Sequence, residues 1–164
     1  MEQLIETLRT QRDLSDKELI ALITRESDDK DLFAAADAVR REHYGTDVFL
    51  RGLIEFTNVC QNDCYYCGIR KSNAQAQRYR LTQERILHSC ENGYRMGFRT
   101  FVLQGGEDPR NTDAWVCSMV DKIKTAHPDC AVTLSIGEQS RVSYQAYFDA
   151  GADRYLLRHE TADE

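Results

Sequence analysis

The chain has 164 residues, 41% of them hydrophobic and 29% charged, with a formal net charge of −6 and six cysteines. That balance suits a soluble globular chain with a sizeable core and excludes a disordered or membrane-embedded one, since no apolar run approaches the roughly 20 residues a bilayer requires. An acidic chain without a basic stripe is a poor partner for nucleic acid. An opening that lacks the basic-then-apolar pattern of a secretory signal makes the cytoplasm, where thiols stay reduced, the expected compartment.

Residues 1–46 read as a helical cap. Leu4, Ile5 and Leu8 share one helical face, and Ser15 with Glu18 forms a capping box ahead of Leu19, Ile20, Leu22 and Ile23. A further helix from about Asp31 to Tyr44 places Leu32, Ala35, Ala36 and Val39 on one stripe, and Gly45 is its expected stop. This stretch carries no constellation of reactive residues.

From residue 47 the pattern changes to strand, loop and helix, repeated. Strands are expected at Val48–Thr57, Thr100–Leu103, Ala131–Ile136 and Arg154–Leu157, with helices over Thr82–Met96, Thr112–Ala126 and Ser140–Ala150. Thr82 is placed to cap the first of these helices, and Gly97 and Gly151 stand where helices should turn into the next strand. Such alternation implies an α/β fold with a parallel sheet, either an open doubly wound sheet or part of a (β/α) TIM-type barrel. A complete barrel takes about 250 residues, so residues 47–164 correspond to about half of one. The last strand has no helix after it to cover it, and the expectation is a truncated barrel.

The chemistry concentrates just after the first expected strand. Cys60, Cys64 and Cys67 stand in a C-x3-C-x2-C spacing within the string Thr57-Asn-Val-Cys-Gln-Asn-Asp-Cys-Tyr-Tyr-Cys-Gly68. Three thiolates in one short loop suit three irons of a [4Fe–4S] cluster and leave the fourth iron for another ligand. Two alternatives stay open: a structural zinc, which would need a fourth protein ligand that no second pair supplies, and a redox pair formed by Cys64 and Cys67, which leaves Cys60 unexplained. Cys90, Cys117 and Cys130 lie in or beside apolar-periodic segments and read as small core residues.

Every expected strand is followed by a polar motif: the cysteine loop, then Gln104-Gly-Gly-Glu-Asp-Pro109, then Gly137-Glu138, then Arg158-His-Glu-Thr161. In a parallel α/β architecture these loops open on one face, where ligands bind. Glycines at 105 and 106 permit close backbone approach, the Glu107 carboxylate suits an ammonium, and the planar Arg158 guanidinium suits a carboxylate. An ammonium binder, a carboxylate binder and an open iron together describe a site for an amino acid chelated to a cluster.

The cysteine spacing with Tyr66 ahead of the last cysteine resembles the signature of the radical S-adenosylmethionine (SAM) enzymes, and Gly105-Gly106-Glu107 is similar to their G-G-E motif. The strings from Ile54 to Cys60, Phe101 to Pro109, Thr133 to Glu138 and Ala150 to Thr161 resemble the [FeFe]-hydrogenase maturase branch of that family, near methylornithine synthase and biotin synthase. The resemblance implies that Cys60, Cys64 and Cys67 ligate a [4Fe–4S] cluster and that SAM chelates the open iron. It further implies that Gly105, Gly106 and Glu107 lie along the methionyl ammonium, Tyr66 near the adenine, and Ser135, Glu138 and Arg158 around the ribose and methionyl part. The implied activity is reductive cleavage of SAM in assembly of the hydrogenase H-cluster. Its implied partners are a small-molecule or organometallic iron substrate, other maturases, and an electron donor such as a flavodoxin or ferredoxin. A biotin-synthase or methylornithine-synthase-like activity is the alternative among enzymes, and a non-catalytic iron–sulfur or zinc-binding module is the competing expectation from a different class. Chains of the maturase branch are roughly twice this length, so the resemblance leaves substrate residues unassigned.

Overall fold

A computed structural model describes residues 2–26 and 28–159. Their contacts divide the chain into two units, one ending at Phe49 and one beginning at Leu50. The sequence pattern puts that boundary after residue 46 and starts a strand at Val48. Val48, Phe49 and Leu50 are instead exposed, irregular backbone. Pairing with the neighbouring strand begins only at Gly52, and β propensity without a partner ladder does not make a strand.

In the first unit, α1 (Glu2–Gln11), α2 (Asp16–Ile23) and α3 (Lys30–Tyr44) follow the expected helical segments closely. The Glu18 carboxylate accepts the Ser15 backbone N–H at 2.9 Å and the Ser15 hydroxyl at 2.6 Å, which ties down the start of α2. Gly45 ends α3, its N–H donating to the Arg41 carbonyl at 3.0 Å. Of the apolar residues behind the Ser15 cap only Leu22 is buried, whereas Leu19, Ile20 and Ile23 are exposed. Three short helices have too little interior to enclose a full stripe from each.

The second unit alternates strictly: β1 (Gly52–Thr57), α4 (Gln83–Arg95), β2 (Thr100–Gly105), α5 (Asp113–Ala126), β3 (Ala131–Ser135), α6 (Arg141–Asp149) and β4 (Arg154–Tyr155). The strands are all parallel and lie side by side in the order β1-β2-β3-β4. A doubly wound sheet reverses its order at a switch point. Spatial order that equals sequence order is the barrel arrangement. The fourth strand is shorter than expected, although the Asp153 N–H to the Val132 carbonyl (2.9 Å) and the Leu156 N–H to the Leu134 carbonyl (2.8 Å) extend its pairing.

Alternation along the strands sorts the two faces of the sheet. Ile54, Phe56, Phe101, Leu103, Val132 and Leu134 pack in one core with Ile86 and Cys90 of α4 and Val116, Met119, Val120 and Ile123 of α5. Leu53, Glu55, Val102, Gln104, Thr133 and Ser135 occupy the alternate positions and face the other way. Side-chain oxygens of Thr82, Thr112 and Ser140 accept the backbone N–H of Arg85, Trp115 and Ser143, so α4, α5 and α6 all start at hydroxyl caps. Cys90 and Cys130 are buried and Cys117 packs against the core edge, as expected of small apolar residues. Burial pushes the Cys90 thiol up to about 12, so it stays protonated and inert.

Ile123 is fully buried in the middle of this core. Ile123→Ala should lower unfolding free energy by about 2–5 kcal/mol, read as a reduced denaturant midpoint with an unchanged slope.

Candidate cofactor site

At the carboxyl ends of the four strands a cleft of about 680 Å³ opens toward solvent. The loop after β1 contributes Cys60, Cys64, Tyr66 and Cys67; the end of β2 and its loop contribute Gly105, Gly106 and Glu107. Ser135 comes from the end of β3, Glu138 from the turn after it, and Arg158 from the segment after β4. All the residues that the sequence singled out therefore line one cleft. The Glu160 and Thr161 end of the last motif lies outside the described residues.

Close packing holds the cysteine loop against the β2 loop. A Cβ on Gly106 would meet the Val59 carbonyl oxygen at 2.5 Å and the Cys60 Cβ at 2.7 Å, and one on Gly105 would meet the Thr57 Cγ2 at 2.7 Å. Only glycine lets these backbones touch. The Gln61 N–H then donates to the Glu107 carbonyl at 2.9 Å, fixing the loop just past its first cysteine.

The side chain of Glu107 is set by a second glycine. Gly137 has φ +81, and a Cβ there would meet the Glu107 Cγ at 2.2 Å and Oε1 at 2.4 Å. The Glu107 carboxylate lies directly over this turn and accepts the Glu138 N–H at 3.3 Å and the Gln61 Nε2 at 3.4 Å. Tyr155 of β4 donates its hydroxyl to the Gly137 carbonyl at 2.5 Å, which links the fourth strand to the same turn. Burial, with Tyr144 alongside, raises the Tyr155 phenol well above its ordinary value, so the hydroxyl remains a donor.

Beneath the site sits a buried carboxylate that sequence reading passed over. The Asp108 side chain is fully enclosed. It accepts the Thr57 hydroxyl at 3.0 Å, Arg80 Nε at 2.5 Å and Nη2 at 3.0 Å, and the Arg110 N–H at 3.1 Å. Burial alone would raise its pKa, but the Arg80 guanidinium, the Arg110 N–H and the Thr57 hydroxyl outweigh that and hold it below the usual carboxylate value. Because Asp108 follows Glu107 directly, this network anchors the acidic turn to the end of β1. Glu55 and Gln104 also line the cleft, although the sequence reading assigned neither a role; the Gln104 Nε2 donates to the Glu55 Oε1 at 3.4 Å.

Three thiolates in one loop are a donor set suited to three irons of a [4Fe–4S] cluster. Cys60, Cys64 and Cys67 are free thiols with access to the cleft. Among the described residues, no three His, Cys, Asp or Glu side chains converge on one metal position.

The model of the radical SAM superfamily matches residues 54–164. The chain belongs to the radical SAM superfamily. It is 46% identical over 132 residues to the [FeFe] hydrogenase maturase subunit HydE of Thermotoga maritima, a match covering 80% of this chain and 37% of that protein. Among solved structures, methylornithine synthase (PylB) superposes with a TM-score of 0.82 at 29% identity, covering 98% of this chain and 48% of that one. The [FeFe]-hydrogenase maturase HydG gives a TM-score of 0.84 at 25% identity over 98% of this chain and 37% of its own. The relatives' names are those of enzymes, and this radical SAM chain spans less than half the length of each of these three. Its four-stranded parallel sheet is the architecture of the matched part of those neighbours, a portion of a TIM-type barrel.

Two measurements probe the geometry that positions the site. Gly106→Ala should cost about 1–3 kcal/mol in unfolding free energy, because the clash is with backbone that cannot rotate away. Asp108 has a folded pKa below its unfolded one, so its contribution is present above the unfolded value near 3.8 and disappears as pH falls through the folded value. Asp108→Asn should therefore be less stable than the parent by about 1–3 kcal/mol at neutral pH. In denaturant titrations from pH 7 downward, the difference should shrink once the parent carboxylate protonates.

Proposed function

We propose that this chain binds a [4Fe–4S] cluster and SAM and belongs to an enzyme that cleaves SAM reductively during assembly of the [FeFe]-hydrogenase H-cluster. One observation carries the reading: the three cysteines, Tyr66, Gly105, Gly106, Glu107, Ser135, Glu138 and Arg158 come from four separate strand ends and line a single cleft. A core-building requirement has no reason to gather thiols, acids and a guanidinium there.

On this reading Cys60, Cys64 and Cys67 hold three irons, and the SAM amine and carboxylate take the fourth. When bound, the cluster would supply the electron for reductive cleavage of SAM. The protein's own residues orient the cofactor. Gly105 and Gly106 let its methionyl end approach the backbone, and Glu107, held over Gly137, offers a carboxylate to the ammonium. Arg158 supplies a planar donor pair for the carboxylate, Ser135 and Glu138 border the ribose and methionyl part, and Tyr66 borders the adenine.

The 46% identity to HydE across 80% of the chain favours hydrogenase maturation, with an organometallic or small-molecule iron substrate, other maturases as partners and a flavodoxin or ferredoxin as electron donor. The superposition on methylornithine synthase over 98% of the chain supports a second reading, a synthase acting on a small organic substrate. Among the described residues no helix is long and apolar enough to cross a membrane; the cytoplasm is the proposed site of action.

Anaerobic reconstitution should load about four irons and four sulfides per chain, with the visible absorption of a [4Fe–4S] cluster and an electron paramagnetic resonance signal that shifts on adding SAM. Cys60→Ala, Cys64→Ala and Cys67→Ala should each abolish that SAM-dependent shift. One zinc per chain with no sulfide would sink the proposal. Rescue of [FeFe]-hydrogenase activity in cells lacking their own maturase would separate the first reading from the second.

A further inference from the structure

Arg78 lies outside the cysteine motif, yet its guanidinium reaches backbone on both sides of it. Nη1 donates to the carbonyls of Asn58 at 2.6 Å and Ile69 at 2.7 Å, and Nη2 to those of Arg70 at 2.6 Å and Asn73 at 3.2 Å. Asn58 precedes the first cysteine, and the other three follow the last. One planar cation thus ties the entry of the loop to its exit, bracketing all three thiols.

The segment that carries Arg78 is itself secured at both sides. The Asn58 side chain donates to the Gln77 carbonyl at 2.7 Å and accepts the Tyr79 N–H at 2.8 Å. Arg80 pairs with the enclosed Asp108, and the Tyr79 hydroxyl donates to the Glu55 carbonyl at 3.0 Å. Besides turns such as the Cys67 N–H to the Cys64 carbonyl at 3.0 Å, the loop has two longer closures of its own, the Lys71 N–H to the Asn62 carbonyl at 2.8 Å and the Ser72 N–H to the Asp63 carboxylate at 2.9 Å. Those bracket Cys64 and Cys67 but leave Cys60 outside; the Arg78 guanidinium, with donors in a fixed fork, is what ties the chain ahead of Cys60 to the loop's exit.

We propose that Arg78 is a positioning residue that closes the cysteine loop before any cluster binds, so that the three thiols are presented together. The inference rests on the cluster-binding reading for its consequence, but the closure is a property of the protein alone. A lysine would not substitute, because one ammonium on a flexible stem cannot span four carbonyls in a plane.

The test uses the full chain with Arg78→Ala and Arg78→Lys. In the metal-free protein, hydrogen exchange at the Cys67, Arg70, Lys71 and Asn73 amides should speed up by about tenfold in both variants, while amides of β2 and β3 and the thermal midpoint stay at parent values. After anaerobic reconstitution, both variants should lose iron to a chelator about tenfold faster than the parent. Parent-like exchange at those amides, or full restoration of loop protection and iron retention by Arg78→Lys, would overturn the proposal. Should the parent itself take up no cluster, the cofactor reading fails while the exchange data still decide the closure.

Discussion

The arrangement of the site depends on one close approach, the contact of the backbone at Gly106 with the Val59 carbonyl and the Cys60 Cβ. A parallel sheet delivers the ends of β1 and β2 side by side about 4.8 Å apart, but loops leaving adjacent strands normally splay because their side chains need room. Removing the Cβ at positions 105 and 106 lets the first cysteine stand over the second strand's loop. The carbonyl of Glu107 then accepts from Gln61, so the thiol loop and the acidic turn are joined into one body.

Three further devices stiffen that body, each of a different physical kind. The enclosed Asp108 joins the acidic turn to Thr57 and Arg80 through charge-assisted bonds in a low-dielectric setting. The positive φ at Gly137 makes space for the Glu107 side chain and brings the β3 loop under it. Tyr155 ties the β4 edge to that same turn. The result is a polar cleft in which the Glu107 carboxylate is held in place by the Glu138 N–H and the Gln61 side chain.

The two units show how size limits what a sequence pattern can build. The strand–helix unit encloses an interior of Phe101, Leu103, Met119, Ile123 and Leu134 because two layers face each other. The first unit has similar amphipathic stripes, but with three short helices it buries only Ile5 and Leu22 fully among the described residues. Its capping at Ser15 and its stop at Gly45 are local features and form regardless.

Legibility divided along the same line between local and long-range causes. Helix starts at Thr82, Thr112 and Ser140, the two-residue alternation of the strands, and the cysteine and glycine motifs were all readable, because each is set by neighbours a few residues away. The error at Val48–Leu50 arose because strand propensity there has no ladder to join, and a ladder is a tertiary object. Arg80 and Arg78 were not singled out in the sequence, and Asp108 stood only as one member of the Gly-Gly-Glu-Asp-Pro string with no role of its own; only folding brings Arg80 and Asp108, 28 positions apart, into contact. By itself, then, the order of residues determined which chemistry sits at each strand end. The three-dimensional packing decided that the strands run in sequential order, that their ends share a cleft, and which buried charges hold that cleft in shape, since those outcomes depend on contacts between residues far apart in the chain.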